Sequence, residues 1–156
     1  MKEVLFICLG NICRSPSAEA VFRALIDKAG LANEISCDSA GMISYHAGEV
    51  ADSRMQRHAI RRGYDLTSIS RPFKAGSDFE RFDYIVAMDH ENRRDLVSHD
   101  PAGKYRDKIV MMTDYCRVHD DDVVPDPYYG GDAGFERVLD LLEDACAGLL
   151  AHMSGK

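Results

Sequence analysis

The sequence predicts an α/β fold, a three-layer, doubly wound parallel sheet with helices on both faces. Three observations carry that expectation. Short apolar runs of strand length alternate with stretches whose apolar residues recur at helical spacing. The first run, Val4 to Leu9, is continuously apolar, as in strands covered on both faces. At 156 residues, 46% of them hydrophobic and 29% charged, the chain has the length and composition of one soluble domain. It can build a core without disulfides or metal, so a single domain over 1–156 is expected.

Taken in order, Glu3 to Cys8 reads as a buried strand. Ser15 then serves as an N-cap with Pro16 at the first helical position, and Ala18, Val21, Phe22, Leu25, Ile26 and Ala29 follow at helical spacing up to Gly30. Ile35 to Ser39 is a short second strand. A helix is expected between Glu49 and Arg62, with Ala51, Met55 and Ala59 on one face and Gly63 at its end. From Tyr64 to Ser77 the text is irregular. Tyr84 to Met88 is a third strand, Asp89 caps a short helix through Val97, and Lys108 to Met112 is a fourth strand. The last helix starts from Asp132 as N-cap, with Phe135, Val138, Leu139, Leu142, Cys146, Leu149 and Leu150 facing inward.

Charge and cysteine usage narrow the function classes. A formal charge of −7 and the lack of a basic stripe argue against nucleic-acid binding. The longest apolar run is too short to cross a bilayer or to act as a signal-peptide core, so no membrane segment and a cytoplasmic location are expected. The five cysteines, Cys8, Cys13, Cys37, Cys116 and Cys146, are odd in number and scattered, as reduced thiols are. No spacing completes a zinc site, and no metal or cofactor is expected.

One stretch carries chemistry. In Cys8-Leu9-Gly10-Asn11-Ile12-Cys13-Arg14-Ser15 a thiol stands at the carboxyl end of a strand, a Gly/Asn loop follows, and a helix opens immediately after. A helix N-terminus offers N–H groups without intrahelical acceptors and the positive end of a dipole, which together bind anions. Arg14 adds a planar fork of donors matched to phosphate. The same donors favour thiolate over thiol, which makes Cys8 a nucleophile. Gly10 and Asn11 tolerate the left-handed dihedrals that closing the ring requires.

The string from Val4 to Glu19 resembles the phosphate loop of the low-molecular-weight protein tyrosine phosphatases. Further similarities lie at Asp38-Ser39-Ala40-Gly41, at Arg71, from Phe82 to Asp89, and at Asp126-Pro127-Tyr128-Tyr129-Gly130, in the family's order over nearly the whole chain. The resemblance implies a four-stranded parallel sheet and a metal-free, two-step phosphomonoesterase. It assigns Cys8 as nucleophile, Arg14 and the amides of Leu9, Gly10, Asn11, Ile12 and Cys13 as binders of phosphoryl oxygens, and Asp126 as general acid. Ser15 would donate its hydroxyl to the Cys8 thiolate besides capping the helix. Asn11 would pin the loop with Ser39 as a partner, and Tyr45, Tyr128 and Tyr129 would wall an aryl phosphate. Ser68 stands where the family commonly has a histidine, so the support behind Asn11 is expected to be wired differently. His46 reads as an exposed loop histidine. Cys13 has two open readings, a packing residue or a reversible disulfide partner of Cys8.

The implied partners are phosphotyrosine-bearing proteins, with inorganic phosphate as product, acting on a monomer or a weakly self-associating chain. Three rivals share the loop. An arsenate reductase needs further cysteines placed for a disulfide relay, and no close pair is present. Protein arginine phosphatases of this fold carry threonine at the position of Ile12. A non-catalytic phosphate binder would have lost the nucleophile or the acid.

Overall fold

The computed structural model describes residues 1–128 and 130–155. Four strands, β1 (Lys2–Cys8), β2 (Ile35–Gly41), β3 (Tyr84–Ala87) and β4 (Ile109–Met111), form one all-parallel sheet in the order β2-β1-β3-β4. Among the described residues, five α-helices flank it: α1 (Arg14–Lys28), α2 (Ser53–Ile60), α3 (Ala75–Arg81), α4 (His90–Ser98) and α5 (Asp132–Met153). The expected α/β architecture is present.

Side-chain alternation along β1 explains the layers. Successive residues of a strand point to opposite faces. Val4, Phe6 and Cys8 join Phe22 and Ile26 of α1 and Val138, Leu142 and Leu149 of α5 in one buried cluster. Leu5 and Ile7 join Phe79 of α3 and Leu96 of α4 in another. Both sets of side chains are almost fully withdrawn from solvent, so β1 is the seam on which the two layers of helices close. A third cluster, with Cys13, Met55, Ala59, Phe135 and Leu139, packs α2 against α5 beside the loop that follows β1. Because strand order reverses at β1, that loop lies at a topological switch point, where parallel α/β sheets bind ligands.

Several element boundaries differ from expectation. The first helix starts at Arg14, so Ser15 is inside it and is not the N-cap; Cys13 takes that position without a side-chain cap. The second helix is shorter than Glu49 to Arg62 at both ends. Val50 is drawn into an isolated antiparallel bridge with Ile69, and Asp52 caps the helix by accepting the N–H groups of Arg54 and Met55. Helix α3 falls partly in the stretch read as irregular. It is short and polar, but Phe79 is buried and Asp78 accepts the Lys74 N–H while pairing with Arg71. The final helix is capped by Gly131, one residue before Asp132. Asp89 does cap α4, its carboxylate accepting the Asn92 N–H.

Two contacts fasten α5 to the far edge of the sheet. At Gly148 the helix lies so close to the turn at Met112–Tyr115 that a Cβ would fall 1.8 Å from the Tyr115 carbonyl oxygen. The Asp144 carboxylate accepts N–H groups from Arg117 (2.9 Å), Val118 (3.1 Å) and His119 (2.8 Å), and also pairs with the His119 ring. Burial pushes this carboxyl up, but the hydrogen bonds outweigh burial and hold it well below the usual carboxylate range.

Gly148→Ala is expected to destabilise the protein by about 3 kcal/mol, the reverse of the gain of about 1 kcal/mol that alanine ordinarily brings to a helix; urea denaturation checks this. Asp144 is ionised more readily when folded, so its contribution is fully present above the ordinary carboxylate value of about 4 and is lost as pH falls below it. Asp144→Asn should therefore lower stability at neutral pH and shrink the acid-induced loss, measured by denaturation across an acid series.

Candidate active site

The geometry of residues 8–15 begins with its carbonyl groups. Five of them are occupied from outside the ring. Cys8 and Leu9 carbonyls accept the N–H groups of Met42 (3.0 Å) and Ile43 (3.1 Å), and the Ile12 carbonyl accepts that of Asp52 (2.9 Å). The Gly10 carbonyl accepts the Ser70 hydroxyl at 3.0 Å, and the Cys13 carbonyl accepts the Ser17 hydroxyl at 2.7 Å. Buried backbone polar groups must be paired. With the carbonyls turned outward, the amides are left for the concave side, and the Asn11 N–H points at Cys8 Sγ at 3.3 Å.

Closing so tight a ring takes one left-handed residue, and among the described non-glycine residues that is Asn11, with φ of 56°. Its side chain keeps it there. Asn11 Oδ1 accepts the Arg71 N–H at 3.0 Å and Nδ2 donates to Ser15 Oγ at 2.7 Å. The expected partnership with Ser39 is replaced, because the Ser39 hydroxyl donates to buried Glu19 at 2.6 Å. Support behind the loop thus comes from Ser70 and the Arg71 amide. Gly41 allows the neighbouring strand this close, since a Cβ there would lie 2.9 Å from the Leu9 carbonyl oxygen.

Ser15 Oγ stands 3.0 Å from Cys8 Sγ. Its oxygen accepts from Asn11 Nδ2, which leaves its own proton available to a Cys8 thiolate. Arg14, buried, donates through Nη1 to Asp89 Oδ2 (2.7 Å) and to the Val124 carbonyl (3.0 Å), while Nη2 reaches toward Asp126 Oδ2 at 3.8 Å. Burial works against the guanidinium charge, but Cys8, Asp89 and Asp126 more than compensate and raise its pKa further. The Asp126 carboxylate also accepts the Tyr128 N–H at 3.0 Å.

These groups converge on a cavity of about 350 Å³. Cys8, Leu9, Gly10, Ile12, Cys13, Arg14, Tyr45, Asp126 and Tyr128 line it, whereas Asn11 and Ser15 are buried and do not. Tyr129 lies outside the described residues. Ile43 and His46 complete the lining. His46 is not an exposed loop residue: its side chain is only 18% exposed, Nδ1 pairs with Glu49 at 3.1 Å, and its ring leaves 3.0 Å for a Cβ on Gly10. Asp89, Ser70 and the Arg71 amide, which hold Arg14 and the loop, also carry no site role in the sequence reading. The family-like run from Phe82 to Asp89 was the one signal for Asp89.

The chain has five cysteines. All five are free. Burial, then Asp52 and Cys8, push the Cys13 thiol up, burial pushes Cys37 up to about 12 and Cys116 up to about 11, and Cys146 is raised by complete burial. Among the described residues no group of three or more His, Cys, Asp or Glu side chains is arranged to hold a metal ion, and no helix is long and apolar enough to cross a membrane.

Known proteins are similar to this chain over nearly its whole length. A protein from Streptomyces coelicolor named low molecular weight protein-tyrosine-phosphatase is 44% identical over 96% of this chain and 92% of its own length. The crystal structure of a protein tyrosine phosphatase from Entamoeba histolytica, with Hepes in its active site, superposes with a TM-score of 0.96 at 50% identity, covering 99% of this chain and 98% of that one. The Drosophila arginine phosphatase structure superposes with a TM-score of 0.87 at 34% identity, covering 98% of each chain. The family model described as low molecular weight phosphotyrosine protein phosphatase matches residues 3–156, so both the loop at Cys8 and the distant Asp126 segment fall within one match, and the chain belongs to that family.

Proposed function

We propose that this protein hydrolyses phosphotyrosine and other aryl phosphate monoesters through a phosphocysteine intermediate, with Cys8 as nucleophile, Asp126 as general acid and no metal ion. One observation carries the reading: Cys8 Sγ, held by Ser15 Oγ and the Asn11 N–H, lines one cavity together with Arg14 and Asp126.

The steps follow from that placement. The Cys8 thiolate attacks phosphorus in line with the departing oxygen, and an S–P bond forms as the P–O bond breaks. Charge on the equatorial oxygens is met by Arg14 and the inward amides of the loop, which are fixed in advance and need no reorganisation. Asp126 gives its proton to the leaving phenolate. It then takes a proton from the water that attacks phosphorus, the S–P bond breaks, and phosphate and the thiolate are released. The Ser15 proton, available to the sulfur, stabilises the thiolate both before attack and as the leaving group of the second step. Leu9, Ile12, Ile43, Tyr45 and Tyr128 give the cavity an apolar wall suited to an aryl ring.

The structural likeness to an arginine phosphatase supports a second reading, in which the scissile bond is P–N. Ile12, apolar and lining the cavity, favours the aryl ester. Burial raises the thiols of Cys13, Cys37, Cys116 and Cys146, which disfavours the disulfide relay from Cys8 that arsenate reduction would need.

Hydrolysis of p-nitrophenyl phosphate should persist in EDTA and vanish in Cys8→Ser; a requirement for added metal, or full activity of the serine variant, refutes the mechanism. Asp126→Ala should lower kcat/KM about a hundredfold for phenyl phosphate and much less for p-nitrophenyl phosphate, whose leaving group needs no proton. Peptides bearing phosphotyrosine, phosphoarginine or phosphoserine, assayed in parallel, separate the aryl-ester reading from the P–N reading.

A further inference from the structure

Behind the cavity wall lies a charged and aromatic stack that the reaction described above does not use. The Arg54 guanidinium, in the first turn of α2, sits 5.2 Å from the centre of the Tyr128 ring and 5.0 Å from that of Phe135. Phe135 in turn stacks on His58, ring centres 5.3 Å apart and planes within 9°, and His58 is held by Asp132 and Glu136 of α5. Arg54 is itself fixed from its other side. Its Nε and Nη2 fork onto Asp52 Oδ1 and Oδ2 at 3.3 and 3.2 Å.

Asp52 closes the connection to the loop. Its own N–H donates to the Ile12 carbonyl at 2.9 Å, while its carboxylate caps α2. Tyr128, at the other end, donates its N–H to the Asp126 carboxylate at 3.0 Å. A continuous set of contacts therefore runs from the phosphate-binding ring at Ile12, through Asp52 and Arg54, to Tyr128 and Asp126.

We propose that Arg54 is a positioning residue for the leaving-group side of the site: it holds the Tyr128 wall, and with it Asp126, at a fixed distance from the loop that binds phosphate. This rests on the phosphatase reading above. Arg54 itself does not line the cavity, and its side chain is 39% exposed, so its removal opens no core. What it supplies is orientation. The Asp126 segment also meets Arg14, whose Nη2 lies 3.8 Å from Asp126 and whose Nη1 donates to the Val124 carbonyl. A general acid misplaced by a fraction of an ångström loses most where the leaving group most needs its proton. Phosphate binding, which depends on the ring and Arg14, should be indifferent.

The test measures kcat/KM for phenyl phosphate and p-nitrophenyl phosphate, inhibition by inorganic phosphate, and thermal melting, on the full chain and on Arg54→Ala and Asp52→Asn. Asparagine retains the helix cap but abolishes the ion-paired fork. Arg54→Ala should lower kcat/KM about tenfold for phenyl phosphate and clearly less for p-nitrophenyl phosphate, with the inhibition constant for phosphate within about twofold. Asp52→Asn should show the same pattern at smaller amplitude, and it decides the matter if Arg54→Ala loses its cooperative melt. Equal losses on the two esters, or variants indistinguishable from the wild type, overturn the inference while leaving the phosphatase reading intact. A wild type inactive on both esters overturns that reading and the inference with it.

Discussion

The site depends on one constraint, that the carbonyl groups of Cys8, Leu9, Gly10, Ile12 and Cys13 find partners outside the ring. Backbone amides can face an anion only if the carbonyls of the same peptides face elsewhere, and a buried carbonyl needs a donor. Here the donors come from separate parts of the chain: Met42 and Ile43 beyond β2, Asp52 before α2, Ser70 in the following irregular segment, and Ser17 inside α1. The ring is consequently a product of the whole fold. Its conformation, left-handed at Asn11, is one an isolated peptide of this sequence would rarely hold.

The sheet supplies the frame for those donors. Central β1 has β2 on one side and β3 on the other, in registers that set Cys8 level with Gly41 and Ile7 level with Ala87. The segments leaving these strand ends therefore arrive at the loop together. Asp89, just after β3, uses one carboxylate oxygen to cap α4 and the other to orient Arg14. Helix initiation and the placement of the Arg14 guanidinium are thereby joined in one side chain.

The architecture was legible from local pattern because burial on both faces of β1 leaves a continuous apolar run, and α1 and α5 repeat at helical spacing. Cys8, Arg14 and the loop were legible for the same reason: their chemistry is contiguous. What escaped was set by distant partners. Ser15 has the composition of a cap, but Cys8 and Asn11 engage its hydroxyl. Asn11 is pinned by an Arg71 amide, a group every residue but proline possesses, so no residue type could announce it. Helix α3 is too short and polar for a periodic signal and is held by Phe79, Asp78 and Arg71. The ring of His46 becomes part of the wall only because the segment after β2 folds back over Gly10.

The floor and the rim of the cavity differ sharply in how deeply they are embedded. Cys8, Asn11, Arg14 and Ser15 are at most 3% exposed, while Tyr45 is 81%, Ile43 42% and Tyr128 37% exposed. Substitutions in the floor disturb packing and buried hydrogen bonds, whereas exposed side chains usually alter stability by only about half a kcal/mol. Side chains at the rim can thus be exchanged at little cost in stability, while those of the floor cannot. The fold thereby sets a rigid floor beneath a rim that tolerates change.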